Sequence, residues 1–200
     1  MSYNHIPFLI VISAPSGCGK TTLLRLLLEK NLDIGVSVSH TTRPMRKGEI
    51  SGVDYNFVDV VKFVEMQHAG EFIEHATVHN NFYGTSYAVI DTLLGRGADV
   101  ILDIDVQGMK LLKAKDKYDF VSIFIMPPSL DVLGGRLRRR NTDSNEVVAQ
   151  RLINAEEEIN QAHIYDYQVV NDVLDKAIID LSAIITAERL RSFRLNNNIL

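Results

Sequence analysis

An α/β protein with a parallel sheet is the fold that the sequence predicts, on three observations. Four short runs are almost wholly apolar, helical patterns separate some of them, and a glycine-rich turn after the first run leads straight into a helix. Near-continuous apolarity over so few residues marks a strand covered on both faces, and strand–helix alternation sets such strands side by side in parallel.

The elements follow in chain order. FLIVI (Phe8–Ile12) is the first buried strand, and KTTLLRLLLEK is the helix behind it. Residues from about 37 to 86 break the rhythm: SVSHTT, DYNFV, FIEHATVH and NFYGTS read as short strands with polar turns between them, and VVKFVEMQHAG reads as a helix ended by Gly70. This is the pattern of a small mixed α+β lobe inserted in the main fold. DVILDID (Asp99–Asp105) and VSIFIM (Val121–Met126) resume the parallel sheet. SLDVLGGRLRRR follows as a helix with Ser129 as its N-cap. A second, arginine-dense insertion runs from roughly Arg136 to Arg151. A long helix covers about Glu146–Ala162, YQVVN (Tyr167–Asn171) is the fourth strand, and a last helix covers about Leu174–Phe193.

Bulk properties limit the function classes. The 200 residues suit one domain with small lobes set into it, and 46% apolar residues suffice for a substantial core. A net charge of −4 argues against a bulk nucleic-acid surface. The single cysteine, Cys18, excludes an intrachain disulfide and fits a reducing compartment. No stretch approaches the roughly 18 apolar residues of a membrane span, and the N-terminus lacks the basic and apolar segments of a signal peptide. A cytoplasmic protein without membrane attachment is the expectation.

The glycine-rich turn carries the first chemistry. Ala14-Pro15-Ser16-Gly17-Cys18-Gly19-Lys20-Thr21 fits the phosphate-binding loop pattern G-x-x-x-x-G-K-[ST], with Ala14 replacing the first glycine. Gly17 and Gly19 let successive N–H groups point inward at an anion, and the helix from Lys20 adds its positive end. Lys20 is placed to reach the β- and γ-phosphates of a nucleotide, and Thr21, with Thr22 beside it, to offer a hydroxyl to Mg²⁺. In DIDVQG (Asp103–Gly108), a carboxylate at a strand end either holds that ion, usually through water, or caps the next helix; spacing alone leaves both readings of Asp103 open. The arginines point to an anionic acceptor, because two polyphosphate groups brought together need neutralising and the arginine fork binds phosphate bidentately. His75 and His79 share a strand face at i, i+4, but no further metal-ligand motif accompanies them.

With these residues in view, the chain resembles the guanylate kinase family along nearly its whole length. The resemblance rests on SAPSGCGKT, VSVSHTTRPMRKGE, GVDYNFV, EFIEHATVHNNFYGTS, ILDIDVQG, IFIMPPS, RLRRRNTDSNEVVAQRL and YDYQVVND, in the family's order and close to its spacing. It implies one domain: a P-loop, three-layer α/β/α core with a parallel sheet (1–36, 88–130 and 152–200), an inserted mixed α+β GMP-binding lobe (about 37–87) and a small helical lid (about 131–151). It implies ATP-binding residues Ala14 to Thr22 and Asn171, the last beside adenine. It implies a GMP site of Ser39, Arg43, Arg46, Tyr55, Glu74, Tyr83, Gly84, Thr85 and Asp105, with the two arginines and two tyrosines on the phosphate and Ser39, Glu74 and Thr85 facing the base. Lys20, Arg43, Arg136, Arg140 and Arg151 become the catalytic set, Thr21 and Asp103 the Mg²⁺ set, and ATP and GMP the substrates, with dGMP and the oligomeric state left open. Glu74 also has an independent logic: guanine offers two adjacent donors, N1–H and the 2-amino group, and a carboxylate accepts from both, whereas adenine leaves it unpaired.

Three positions depart from the family's usual pattern. The chain reads Arg43-Pro44-Met45-Arg46 where proline usually stands one place later, which puts the aim of Arg46 in question. Thr85 replaces the common serine, and Asn141 the usual glycine. Cys18 lies where oxidation or alkylation would block ATP, against the blander reading of an inert small residue. The rival functions are a catalytically silent protein-binding module of the same fold and a kinase for another nucleoside monophosphate.

Overall fold

The computed structural model describes residues 5–30, 33–78, 80–139 and 144–195. The core is a five-stranded, wholly parallel sheet of β1 (Leu9–Ser13), β2 (Ile34–Val36), β7 (Asp99–Asp103), β8 (Phe120–Met126) and β9 (Tyr167–Val170), in the order β2-β7-β1-β8-β9. A second, four-stranded sheet is built from β3 (His40–Thr41), β4 (Asn56–Phe57), β5 (Phe72–Val78) and β6 (Asn81–Ser86), in the order β4-β3-β6-β5.

The three layers follow from how β1 alternates. Ile10 and Ile12 face α1 (Lys20–Lys30) and α7 (Leu174–Arg189), packing with Leu23, Leu27, Ile178 and Leu181. Leu9 and Val11 face the other way, onto α3 (Tyr87–Gly95) and α4 (Val106–Lys115), packing with Ile90, Met109 and Leu112. Both faces of the strand are covered, so its sequence is apolar throughout. Each large side chain buried in this way contributes roughly 1.5–3 kcal/mol. The second sheet carries α2 (Val60–His68), whose Phe63 stacks on Phe72 and Phe82 with ring centroids 4.6 and 5.4 Å away. Asp59 caps α2 by accepting from Lys62 N, and Gly70 ends it with φ 69°. The remaining helices, α5 (Leu130–Arg139) and α6 (Asn145–Asn160), pack on each other through Leu133, Leu137, Val148 and Ala155.

The four apolar runs are all strands of the core sheet, and Ser129 accepts from Val132 N at 3.2 Å, as an N-cap should. Three elements lie outside the sequence reading. Edge strand β2 is three residues with a central glycine, α3 runs on from β6 without a separating turn, and α4 carries Gly108 in its first turn. The last two predicted helices end sooner, at Asn160 and Arg189. The capping role weighed for Asp103 falls to Asp105, whose carboxylate accepts from Gly108 N at 2.8 Å; Asp103 instead closes β7.

A charge network ties His5, Arg189 and Arg194 to the sheet end opposite the glycine-rich turn. Asp99, wholly buried at the start of β7, lies 2.8 Å from His5 Nε2 and accepts from Arg189 Nε at 2.6 Å. Arg194 bridges Asp119 and Glu188, and Ile6 N donates to Arg194 O. Removing one member of such a pair strands the other without water, at a cost of about 3 kcal/mol. Asp99→Ala is therefore expected to lower the urea midpoint and Tm sharply while the folded fraction keeps its catalytic constants.

Candidate active site

The carboxyl ends of β1, β7, β8 and β9 form one edge of the core sheet, where ligands of open α/β sheets bind. From β1 the chain turns through Ala14–Gly19 into α1. Gly17 and Gly19 have φ of 89° and 90°, the left-handed region that glycine enters freely. Their missing side chains also leave room for neighbours: a Cβ on Gly17 would lie 2.7 Å from Leu137 Cδ2, and one on Gly19 would lie 2.6 Å from Asn171 Nδ2. Cys18 N donates to Pro15 O within the turn, and Ser13 Oγ donates to Ile104 O across the sheet end.

The sequence-predicted residues gather here. Lys20 is ion-paired with Asp103, and Thr21 and Thr22 are exposed in the first turn of α1. Arg136 donates from Nη2 to Asn171 O at 2.9 Å and from Nη1 to Cys18 O at 3.4 Å. Arg151 Nη1 donates to Ser16 Oγ at 3.5 Å. Arg140 and Asn141 lie outside the described residues. Asn171 is buried and donates from Nδ2 to Cys18 O at 2.7 Å, so it tethers the glycine-rich turn, a contact the sequence reading did not include. Cys18 itself is buried, with its thiol donating to Ile125 O, and burial pushes the thiol up to about 11. Little thiolate forms at neutral pH, which favours the inert reading.

A second cluster lies on the four-stranded sheet. Glu74, only 5% exposed, accepts from Thr85 Oγ1 at 2.5 Å, and Thr85 Oγ1 lies 3.1 Å from Ser39 Oγ. The hydroxyl that Thr85 shares with serine is thus in use. Burial, reinforced by the Asp105 charge, pushes the Glu74 carboxyl up to about 7, against the Thr85 bond. Glu74 is therefore not an exposed strand residue but a buried acid. Gly84 faces the other way, with the rings of Phe72 and Phe63 3.0–3.1 Å from where its Cβ would stand. The Arg43 guanidinium lies 5.4 Å from the Tyr55 ring, and Tyr55 meets Tyr83 edge to face at 5.9 Å. Arg46 is exposed, and the turn holding it is closed by Glu49 N donating to Arg46 O.

The two clusters meet on a single stretch. Asp103 holds Lys20, Asp105 caps α4, and a Cβ on Gly108 would come within 2.9 Å of Glu74 Oε2. Two acidic residues here went unread. Glu49 grips Arg43, and Glu158 of α6 faces Asp105 and Lys20, with burial raising its carboxyl to about 7. Its signal in AEEEIN is weak: only the third glutamate stands two helical turns after Arg151. Among the described residues no group of three or more histidine, cysteine or acidic side chains is arranged to hold a metal, and His79 lies outside them. The exposed oxygens of Thr21 and Asp103 fit a hard cation that brings most of its ligands with it.

Comparison with known proteins gives one answer. The family model for guanylate kinase matches residues 7–188. The chain is 50% identical over 186 residues to a guanylate kinase of Paramagnetospirillum magneticum, covering 93% of this chain and 87% of that protein. It is 49% identical over 183 residues to one of Legionella pneumophila, covering 92% and 87%. The crystal structure of guanylate kinase from Anaplasma phagocytophilum superposes with a TM-score of 0.78 at 36% identity, covering 96% of this chain and 91% of that one.

Proposed function

The chain belongs to the guanylate kinase family and catalyses ATP-dependent phosphorylation of GMP, and from that premise we propose how its own residues divide the work. The observation that carries the proposal is the stretch Asp103–Gly108, which touches Lys20 at one end and Glu74 at the other. It joins a phosphate-binding turn to a buried carboxylate, and so a donor subsite to a guanine subsite.

On the donor side, the N–H groups of Ala14–Thr22, apart from Pro15 and the internally bonded Cys18, and the positive end of α1 cradle the ATP phosphates. Lys20 leaves Asp103 for the β- and γ-phosphates. Arg136, Arg140 and Arg151 neutralise the charge that spreads over the transferring group, and Asn171 keeps the turn in shape beside the adenine. Mg²⁺ entering with ATP would be held by the Thr21 hydroxyl and, through water, by Asp103, and would neutralise charge between the last two phosphates. On the acceptor side, Glu74 accepts from guanine N1–H and the 2-amino group, with Ser39 and Thr85 orienting it and Asp105 beside it. Arg43, Arg46, Tyr55 and Tyr83 hold the GMP phosphate.

The acceptor oxygen is already anionic at neutral pH, so no general base is needed. Positioning and electrostatic stabilisation supply the rate. The core, the lobe at about 37–87 and the lid at about 131–151 close around the pair, because water competes as acceptor. No helix among the described residues is long and apolar enough to cross a membrane. The test follows ADP formation from MgATP with GMP, dGMP, AMP, UMP, CMP or no acceptor. Turnover that requires a guanine monophosphate supports the scheme; preference for another base removes the assignment of Glu74.

A further inference from the structure

Arg43 is the least exposed of the cations assigned to the GMP phosphate, and its charge is already engaged. Glu49 Oε1 accepts from Arg43 Nη2 at 2.7 Å, and Glu49 Oε2 accepts from Nη1 at 3.1 Å. The pair is two-toothed, with side chains only 10% and 19% exposed. Pro44 O accepts a further bond from Nη1 at 2.7 Å, and Arg46 N donates to Glu49 Oε2 at 2.7 Å. One carboxylate therefore fixes the guanidinium of one arginine and the backbone of the other.

The geometry decides which part of Arg43 is left for a ligand. A guanidinium has two edges that bind an oxyanion bidentately, one formed by Nη1 and Nη2 and the other by Nε and Nη2. Glu49 takes the first, so the second is turned away from it. Tyr55 and Phe57 lie against the guanidinium, with ring centroids 5.4 and 5.7 Å from Cζ, and the Tyr83 hydroxyl also interacts with it. A flexible arginine is thus held in one orientation before any nucleotide arrives, which removes most of the ordering cost of binding. The Arg43 bonds hold the Glu49 carboxyl below the usual carboxylate range, so the clamp stays charged at neutral pH.

We propose that Glu49 is a positioning residue for the acceptor phosphate: it touches neither nucleotide, and it presents the Nε–Nη2 edge of Arg43 and the turn bearing Arg46 to the phosphate of GMP. The proposal rests on the reading that Arg43 grips that phosphate. It also replaces the worry raised by Pro44-Met45, because the Arg46 turn is set by the Glu49 carboxylate and not by the position of proline alone.

The test uses Glu49→Gln and Glu49→Ala in the full chain, with KM for each nucleotide, kcat, and the inhibition constant of guanosine, which carries the base without the phosphate. The expected result is a rise of about tenfold or more in KM for GMP, with kcat within about threefold and KM for ATP unchanged. Guanosine inhibition stays as in the unsubstituted protein, and Glu49→Asp, which keeps the charge one methylene short, recovers part of the loss. A KM for GMP that falls or does not move would overturn the proposal, since Glu49 would then be a rival of the phosphate or a bystander. Guanosine and GMP weakening in parallel would also overturn it, by showing damage to the whole lobe; guanosine binding by calorimetry reads this even in a variant without turnover. If the unsubstituted protein shows no GMP-dependent turnover, the functional reading itself fails; normal turnover with an unmoved Glu49→Gln defeats only this proposal.

Discussion

Lys20→Ala is expected to lower kcat by about 10²–10³-fold while leaving KM for GMP within about threefold. Removing one preorganised cation or donor from a water-excluded transition state has that order of effect. The substitution does not threaten the fold. Lys20 is partly exposed, and its partner Asp103 keeps 37% of its side chain in contact with solvent, so the carboxylate left behind is hydrated. Lys20→Arg should not restore the rate, because a planar fork cannot take the place of a compact ammonium at the end of a tight turn. Steady-state ADP formation at saturating ATP and GMP, with a melting curve for each variant, checks this. A loss below tenfold would remove Lys20 from the transition state.

Glu74→Gln is expected to act in opposite directions on catalysis and on stability. An amide offers guanine one acceptor and one clashing donor, so kcat/KM for GMP should fall by about 10²–10³-fold, in the manner of a buried polar mismatch. For stability the sign follows from the raised carboxyl. Burial pushes it up to about 7 in the folded chain from the ordinary 4.5, so the folded state prefers the protonated form. The folded state is favoured by this group most fully below 4.5, and the advantage is lost as pH rises from there through 7. Glu74→Gln removes that loss, and at pH 8 the variant should melt at or above the temperature of the unsubstituted protein. Guanosine adds an independent readout without a titrating phosphate. Because it binds the ionised carboxylate, its inhibition should strengthen as pH rises through about 7, and this dependence should vanish in the variant. A pH-independent guanosine constant in the unsubstituted protein would contradict the assignment.

The sequence was informative wherever a residue's environment is set by its near neighbours. Gly17, Gly19 and Lys20 sit between a strand and a helix that the same window specifies, and Phe8–Ile12 is apolar because both of its faces are covered. It was uninformative where burial depends on distant elements. Glu74 alternates like any exposed strand residue, and its burial comes from the approach of α4 at Gly108 and of Thr85 on β6. Asn171 reads as a strand-end amide until the turn at Cys18 is brought against it from 153 positions away. Glu49 and Glu158 sit among other polar residues, and nothing in their local spacing marks the cations they face. Edge strand β2 escaped because three residues with a central glycine carry almost no periodicity.

The Asp99 network has a consequence for how this protein meets its surroundings. The charges at the centre of this network are sealed from solvent: Asp99 and Arg189 have side chains 0% and 7% exposed and those of Arg194 and Glu188 are each 3% exposed, while Asp119 at its rim is 54% exposed. At physiological ionic strength mobile ions screen interactions between exposed charges over a Debye length of about 8 Å, and screen buried pairs far less. The cations proposed to gather phosphate at the other end of the sheet are more open, Lys20 keeping 21% of its side chain exposed. Added salt therefore reaches the first set less than the second. A rise in ionic strength is expected to weaken nucleotide capture more than it loosens the scaffold, so that KM for the nucleotides rises with salt while Tm moves little.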